Sequence, residues 1–427
     1  MKLTLDPGAA ALLDALHAAG YAAYAVGGCV RDSLLGRTAH DWDLCTSALP
    51  QQVMELFGTE QCIPTGLQHG TVTIKYGGQL YETTTFRTEG SYTDGRHPDE
   101  VQFVPDVRED LARRDFTINA MAYNAAEGLV DPFGGQKDLQ NGLLRAVGEP
   151  QQRFTEDALR ILRLYRFAAR FGFALDAATA RAARQLAPHL DCISAERIQE
   201  ELAKLLAAPQ PGAYLEPAVL AVVLPELFTP ENAPRFEAAR AIIDTLPEGL
   251  PEVSARLAAL LLPLGEQGTR KALKQLRCSN ALIEEVTTLV REAGLVPEEK
   301  TAARAIQARR LLGRLEPDPL RRLLALCAAY RPEQAAAFAA LQTAEEHTPA
   351  YEIVFRANRR LPANAFALPS GTLILTDDLV KLARTDNQLM AVLAHELGHV
   401  QARHGLRLVI QSSLAGLFVA WFVGDVS

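Results

Sequence analysis

The sequence predicts an α+β head built on a small mixed sheet, followed by a long all-α neck and body and a small, mainly helical C-terminal segment. Three observations predict it. Short β-rich runs separated by Gly and Asp turns crowd the stretch before residue 105. From Thr155 onward the apolar spacing is helical almost without interruption, broken only at proline joints (Pro209-Gln210-Pro211, Pro230, Pro247 to Pro251 and Pro317-Asp318-Pro319). A second change of character falls at Thr348-Pro349-Ala350, after which strand-like runs precede one more helix.

Residues 9 to 20 are Ala/Leu-rich with helical period and lead into a short strand, Tyr24-Ala25-Val26, closed by Gly27-Gly28. A helix restarts at Val30-Arg31-Asp32. Asp41 to Cys45, Gly70 to Tyr76, Tyr81 to Phe86 and Val101 to Val104 read as strands, with turns at Gly77-Gly78 and Asp94-Gly95. Near the end, Tyr351 to Phe355 and Thr372 to Leu375 read as strands and Gln388 to Leu406 as a helix. The resulting domain boundaries are 1–145 (head), 146–210 (neck), 211–348 (body) and 351–427 (terminal segment).

A chain of 427 residues with 48% apolar side chains can fill several cores, about three by length. The formal net charge of −8 excludes a general polycation, so contact with nucleic acid must come from local Arg and Lys clusters. Six cysteines (Cys29, Cys45, Cys62, Cys192, Cys278, Cys327) lack any CxxC spacing, and no cationic, apolar leader precedes Asp6-Pro7. Reduced thiols and a cytoplasmic location are expected. The apolar run 408–424, interrupted by Gln411, Ser412 and Ser413, falls just short of a comfortable membrane span and reads as a buried helix in preference to a membrane segment.

On a strand, residues two apart share a side, so Asp41 and Asp43 can present two carboxylates to one place, as a pair of magnesium ions requires. Such a two-metal clamp activates an attacking hydroxyl and stabilises departing pyrophosphate. Glu82, on a neighbouring strand, is the expected third carboxylate. Gly27-Gly28 lets backbone amides approach a phosphate, and the following helix start adds Arg31. Arg113-Arg114-Asp115-Phe116-Thr117-Ile118-Asn119-Ala120 supplies cations for phosphate, with Asp115 and Asn119 as ribose or scaffold partners.

Glu156-Asp157-Ala158-Leu159-Arg160 opens a helix whose Arg160, Arg163, Arg166 and Arg170 form a stripe opposite Ile161, Leu164 and Phe171. Adenine and cytosine each offer an exocyclic amine donor beside a ring-nitrogen acceptor, whereas guanine and uracil present a carbonyl beside an N–H. A carboxylate that accepts and a guanidinium that donates, Asp157 and Arg160, therefore suit A and C and mismatch G and U.

Taken in order, Val26 to Asp32, Asp41-Trp42-Asp43, Arg113 to Ala120, Glu156 to Arg160 and Ser194-Ala195-Glu196-Arg197-Ile198 resemble the class II tRNA nucleotidyltransferases, the CCA-adding enzymes, over about residues 5–340. The resemblance implies a nucleotidyltransferase head with neck, body and tail, CTP and ATP as substrates and the tRNA 3′ end as acceptor. It carries metal binding to Asp41 and Asp43, triphosphate contacts to Gly28, Arg31 and Arg114, and base reading to Asp157 and Arg160, with Arg163 and Arg166 nearby. Bacterial poly(A) polymerases and A-adding or CC-adding enzymes share this head. The segment Ile63 to Gly70 lacks the Arg-Arg-Phe of the polymerases, and the long polar loop Thr88 to Pro98 resembles full CCA-adding enzymes. For tRNA phosphates, Arg270, Lys274 and Arg277 share a helical face, and Arg304, Arg309, Arg310, Arg314, Arg321 and Arg322 form a later basic group. The family's tail is cut short near Ala350, from which reduced tRNA affinity is expected.

His395-Glu396-Leu397-Gly398-His399 sets two imidazoles four apart on a helix, able to face one zinc ion while Glu396 activates its water. Together with Asn364 to Pro369, the motif resembles the M48 zinc metallopeptidases over about residues 351–427. That family supplies a third ligand as a downstream glutamate, and no glutamate follows Glu396. A joined, catalytically incomplete peptidase segment is the expectation.

Overall fold

The computed structural model describes residues 3–90, 101–295, 317–330, 352–356, 365–367, 372–382 and 392–393. The chain divides into two compact units, residues 1–335 and 336–427.

Helix α1 (Pro7–Ala18) is started by Asp6, whose Oδ2 accepts the amides of Gly8 (2.9 Å) and Ala9 (3.0 Å), with Pro7 in the first turn. Ala9, Leu12, Leu13 and Leu16, one face of its helical period, are buried. A seven-stranded mixed sheet follows, in the order β3-β4-β5-β2-β1-β8-β9. Its strands are β1 (Ala23–Val26), β2 (Leu44–Thr46), β3 (Cys62–Gly66), β4 (Thr71–Tyr76), β5 (Gln79–Thr85), β8 (Ala122–Asn124) and β9 (Gly128–Val130). All neighbours run antiparallel except β2 and β5, which are parallel with Leu44 opposite Thr83. Helices α2 (Gly28–Leu34) and α3 (Pro50–Phe57) lie between the first strands in sequence. A separate hairpin, β6 (Arg87–Glu89) with β7 (Val101–Phe103), leads into α4 (Val107–Ala112). One apolar cluster of Tyr24, Val26, Cys45, Phe86, Val107, Leu111, Ala120, Ala122 and Val147 packs α4 and the sheet together.

The expected strands are present with one shift that bears on function. The ladder of β2 begins at Leu44, so Asp41-Trp42-Asp43 is its lead-in and not part of the strand proper. The backbone there stays extended all the same: the Asp43 carbonyl accepts the Val26 amide (2.9 Å), and exposure alternates, Asp41 and Asp43 open, Trp42 buried. The twofold period that puts both carboxylates on one side survives. The turn at Asp94-Gly95 lies outside the described residues.

After α5 (Gly135–Gln140), the two-residue strand β10 (Leu143–Leu144) pairs with β11 (Ala174–Leu175) and ties the head to the helices beyond. These are α6 (Pro150–Glu156), α7 (Leu159–Phe171), α8 (Ala177–Leu186), α9 (Ala195–Leu206), α10 (Pro217–Val223), α11 (Ala233–Ile243), α12 (Val253–Leu261), α13 (Gly265–Gln275) and α14 (Asn280–Leu295), then a helix at Pro317–Tyr330. Glu156 to Arg160 does not open a helix as expected but spans a break between two, with Asp157 extended at φ −143°, ψ 103°. Phe171 is also not opposite the arginines. Eleven residues advance a helix by about three whole turns, which returns Phe171 to the side of Arg160, where Arg31, Arg37 and Arg170 lie over its ring. Arg277 falls past the end of α13 at φ 53° and so leaves the face of Arg270 and Lys274. Arg270 pairs with Glu284, Arg277 with Glu196, Arg321 with Glu252 and Arg322 with Glu285. Arg304, Arg309, Arg310 and Arg314 lie outside the described residues.

In the second unit, β12 (Glu352–Arg356) runs parallel to β14 (Thr372–Thr376), and β13 (Ala365–Ala367) pairs antiparallel on the other side of β14. A helix at Asp377–Leu382 follows. His395, Glu396, His399 and the run 408–424 lie outside the described residues. Among the described residues no helix is long and apolar enough to cross a membrane.

One buried cation ties α12 to the end of α9. Arg256 of α12, fully enclosed, donates through Nη1 to the carbonyls of Leu206 (2.5 Å) and Ala208 and through Nη2 to that of Leu246 (2.8 Å). It thereby closes the carbonyl end of α9. Arg256→Met, similar in length but without donors, strands those carbonyls, and thermal and urea denaturation should register a loss of about 3 kcal/mol.

Candidate active site

A cleft of about 840 Å³ is lined from the head by Gly27, Gly28, Arg31, Asp32, Thr38, Ala39, His40, Asp41, Asp43, Arg113, Arg114, Asp115 and Asn119, and from the helices by Asp157, Arg160, Arg163, Arg166, Phe167, Arg170 and Lys204. Eight Arg or Lys against five Asp make this a local basic surface on a chain whose total charge is −8. Every expected nucleotide-site residue lies on its wall, with Glu82 the exception. The paired acids and the proposed base readers, more than 100 residues apart in sequence, share one cleft.

Asp43 opens to this cleft while protein closes around it. Its carboxyl is pushed up, first by partial removal from water, then by the charge of Glu82, with Asp41 adding and Arg114 opposing. Glu82 sits on β5 one step before the Leu44–Thr83 register, which sets it beside Asp43. Among the described residues no group of three or more His, Cys, Asp or Glu side chains is placed to hold a metal ion. The arrangement is an open pair of carboxylates with a third alongside, short of positive charge. That donor set fits Mg²⁺, which takes one or two carboxylates and completes its shell with phosphate oxygens and water.

Gly27 adopts φ 78°, ψ −120°, a conformation that suits glycine. A Cβ there would also lie 2.9 Å from Arg114 Nη1, so the missing side chain is what lets this guanidinium rest over the turn. Arg31 was expected to reach a triphosphate, but only 4% of it is exposed. Its Nε donates to Asp32 Oδ1 (2.8 Å) and its Nη1 to Asn119 Oδ1 (2.5 Å), and the group lies over Phe167 and Phe171. Its part is structural at least as much as phosphate-binding.

From Arg31 the polar chain continues. Asn119 Nδ2 donates to Asp115 Oδ1 (3.1 Å), and Asp115 Oδ2 accepts Arg163 Nε (2.9 Å) and Nη2 (2.5 Å) from α7. Arg170, two turns along α7, pairs with Asp32 at 3.8 Å and completes a ring across the head and α7. Burial acts to raise the Asp115 carboxyl, yet the Arg163 charge, the Asn119 and Arg163 hydrogen bonds and Arg160 outweigh it and hold it at about 2.

At the break between α6 and α7, Asp157 Oδ1 accepts the Leu159 amide (3.0 Å) and Oδ2 faces Arg197 Nη2 (3.2 Å). Arg160 Nη1 donates to Glu156 Oε2 (2.8 Å) and the Arg153 carbonyl (3.2 Å), and Nη2 to the Arg113 carbonyl (3.1 Å). A carboxylate oxygen accepts more than once and a guanidinium carries five donors, so both groups retain capacity toward a base. Arg197, known from sequence only as part of Ser194 to Ile198, holds Asp157 in place. Arg166 packs 4.0 Å from the Phe167 centroid and 2.6 Å from Glu201. Lys204 was missed. It joins the cleft from α9, and no spacing relates it to the other motifs. Thr38 and His40, next to Asp41, could have been included on adjacency alone.

Asp115 makes stability depend on acid in a defined window. A carboxyl held low when folded stabilises fully above its unfolded value and loses this as pH falls toward about 2. Urea denaturation should show Asp115→Asn less stable than the parent by about 2 kcal/mol near neutrality. The difference should shrink between roughly pH 4 and pH 2.

The Poly A polymerase head domain model matches residues 23–145, and the probable RNA and SrmB-binding site of polymerase A matches residues 172–232. The peptidase family M48 model matches residues 330–427. The CCA-adding enzyme of Lactobacillus helveticus is 40% identical over 292 residues, 67% of this chain and 71% of that protein. That of Limosilactobacillus reuteri is 43% identical over 282 residues, 65% and 69%. The Bacillus stearothermophilus CCA-adding enzyme, solved in complex with CTP, superposes with a TM-score of 0.65 at 32% identity, covering 81% of this chain and 84% of that one. The Thermotoga maritima enzyme, solved with tRNA, shares the fold at a TM-score of 0.62 and 23% identity over 80% of this chain and 82% of that one. With the paired acids and the Asp157–Arg160 group on one basic cleft, these relationships place the chain in the CCA-adding enzyme family of tRNA nucleotidyltransferases.

Proposed function

We propose that the cleft extends the 3′ end of tRNA with C and A residues from CTP and ATP, without a nucleic-acid template and with release of pyrophosphate. One observation carries this reading: Asp41 and Asp43 line the same cleft as Asp157 and Arg160. Asp41 and Asp43, with Glu82 alongside, would hold Mg²⁺. When bound, such ions activate the tRNA 3′ hydroxyl and steady the departing pyrophosphate.

The chain's own groups do the rest. Amides at the Gly27–Gly28 turn and the guanidinium of Arg114 receive the triphosphate, while Arg31, Asn119, Asp115 and Arg163 fix the wall behind it. Asp157 accepts the exocyclic amine of cytosine or adenine and Arg160 donates to the neighbouring ring nitrogen. Guanine and uracil would set a carbonyl against the carboxylate and an N–H against the guanidinium, and so are refused. Arg166, Arg170 and Lys204 provide positive charge toward the tRNA backbone. Processing of tRNA places this activity in the cytoplasm.

With CTP alone, tRNAs ending before the first C, the second C and the A should gain two, one and no C; with CTP and ATP together they should gain three, two and one nucleotides, read as product length on a sequencing gel. Asp41→Ala should lower incorporation by at least about a thousandfold while leaving the melting temperature nearly unchanged. Normal addition by that variant would refute the site. Asp157→Ala should admit GTP and UTP at rates within about tenfold of CTP.

The M48 match at residues 330–427 supports a separate terminal segment carrying His395, Glu396 and His399, with Zn²⁺ as the metal that such a motif takes. The transferase chemistry uses none of these three residues. Glu396→Gln should therefore leave CCA addition within about twofold of the parent, and a larger loss would tie the segment to the transferase.

A further inference from the structure

Asp110 is fully buried in the last turn of α4, yet it does not line the cleft and the chemistry above gives it no task. Burying a carboxylate is costly unless it is closely paired. Its Oδ1 accepts the Arg87 amide at the base of the β6–β7 hairpin (3.3 Å) and Arg113 Nε (3.0 Å), with Arg113 Nη2 at 2.9 Å. Its Oδ2 accepts Arg114 Nη2 (3.4 Å). Burial acts to raise this carboxyl, and the two guanidiniums outweigh it and hold it below the usual range.

The same short helix is gripped at its carbonyl end from the helices that follow the head. The Ala112 carbonyl accepts Arg153 Nη1 (3.1 Å) and the Arg113 carbonyl accepts Arg160 Nη2 (3.1 Å). Arg114 rests over the side-chain-free Gly27, and its Nε is buried with no hydrogen-bond partner among the described residues. An apolar side chain could fill the space of Asp110, but only an anion can fix two guanidiniums on the cleft wall.

We infer that Asp110 is a positioning residue that presets Arg114 for the triphosphate and anchors it, together with Arg113, to the backbone of the β6–β7 hairpin. The inference rests on Arg114 as a triphosphate contact. A guanidinium already held in place loses little rotamer freedom when phosphate arrives, so binding is stronger than to a freely moving side chain.

The test is steady-state incorporation of CTP and ATP by the full chain on tRNAs lacking the corresponding residue. Asp110→Asn should raise KM for both nucleotides about tenfold, with kcat changing much less. In an Arg114→Ala background, where KM is already high, adding Asp110→Asn should raise it by less than about twofold, the non-additivity of residues acting as one unit. Equal factors in both backgrounds, or a fall in melting temperature with no change in KM, would overturn the positioning role. An Arg114→Ala variant with unaltered KM would instead remove the triphosphate reading on which it rests.

A second measurement needs no variant at position 110. Nitrogen-edited Nε–H spectra of the parent, assigned with Arg114→Lys, should give one sharp, slowly exchanging Arg114 signal before nucleotide is added. A motionally averaged, rapidly exchanging signal would sink the proposal.

Discussion

The cleft depends on an ion pair between the head and the helices that follow it: the buried Asp115 and the partly exposed Arg163 on α7, joined through two nitrogens of one guanidinium. Taking a carboxylate out of water is unfavourable until a cation and further donors meet it, and Arg163, Asn119 and the Phe116 amide supply them. Through Asn119 the pair reaches Arg31 and Asp32, and through Asp32 it returns to Arg170. A short strand pair, β10 with β11, provides a second tie between the same regions. The paired acids Asp41 and Asp43 and the Asp157–Arg160 group belong to different parts of the chain. This ring sets the distance between them.

Charge is sorted within the cleft, and the sorting explains how an acidic protein can bind nucleotide and RNA. Asp41 and Asp43 open to the cleft with Glu82 near Asp43, and the charges of Glu82 and Asp41 help to raise the Asp43 carboxyl. The remaining aspartates of the wall are engaged by arginines: Asp32 by Arg31, Asp115 by Arg163 and Asp157 by Arg197. Aromatic rings beneath the guanidiniums, Phe167 and Phe171, add cation–π contact while shielding one face from water. Glutamates likewise hold Arg270, Arg277, Arg321 and Arg322 on the body, so phosphate contact there would have to compete with existing pairs.

Much of this was legible in the linear chain because it depends on neighbours. Alternation put Asp41 and Asp43 on one side whether or not the ladder formally includes them. Gly27 announced a backbone that a side chain would obstruct. The three- and four-residue spacings of Arg160, Arg163, Arg166 and Arg170 brought them to one helical face. The same arithmetic, carried one turn further, would have placed Phe171 with them. Where local reading failed, a local detail was overridden: Asp157 interrupts what looks like one helix, and Arg277 turns out of α13 at positive φ.

By itself, the sequence determined the α+β head, the helical continuation, the acidic pair, the arginine face and the presence of a second, peptidase-like segment. These follow from periodicity, turn chemistry and motif spacing, all short-range properties. Only the tertiary structure decided that Arg31 is largely buried between rings and acids, that Lys204 enters the cleft, that Arg197 restrains Asp157, and that Asp110 joins the Arg87 amide to Arg113 and Arg114. Arg31 with Asn119, Arg197 with Asp157 and Asp110 with the Arg87 amide are pairings between residues distant in sequence, and linear spacing carries no record of such meetings.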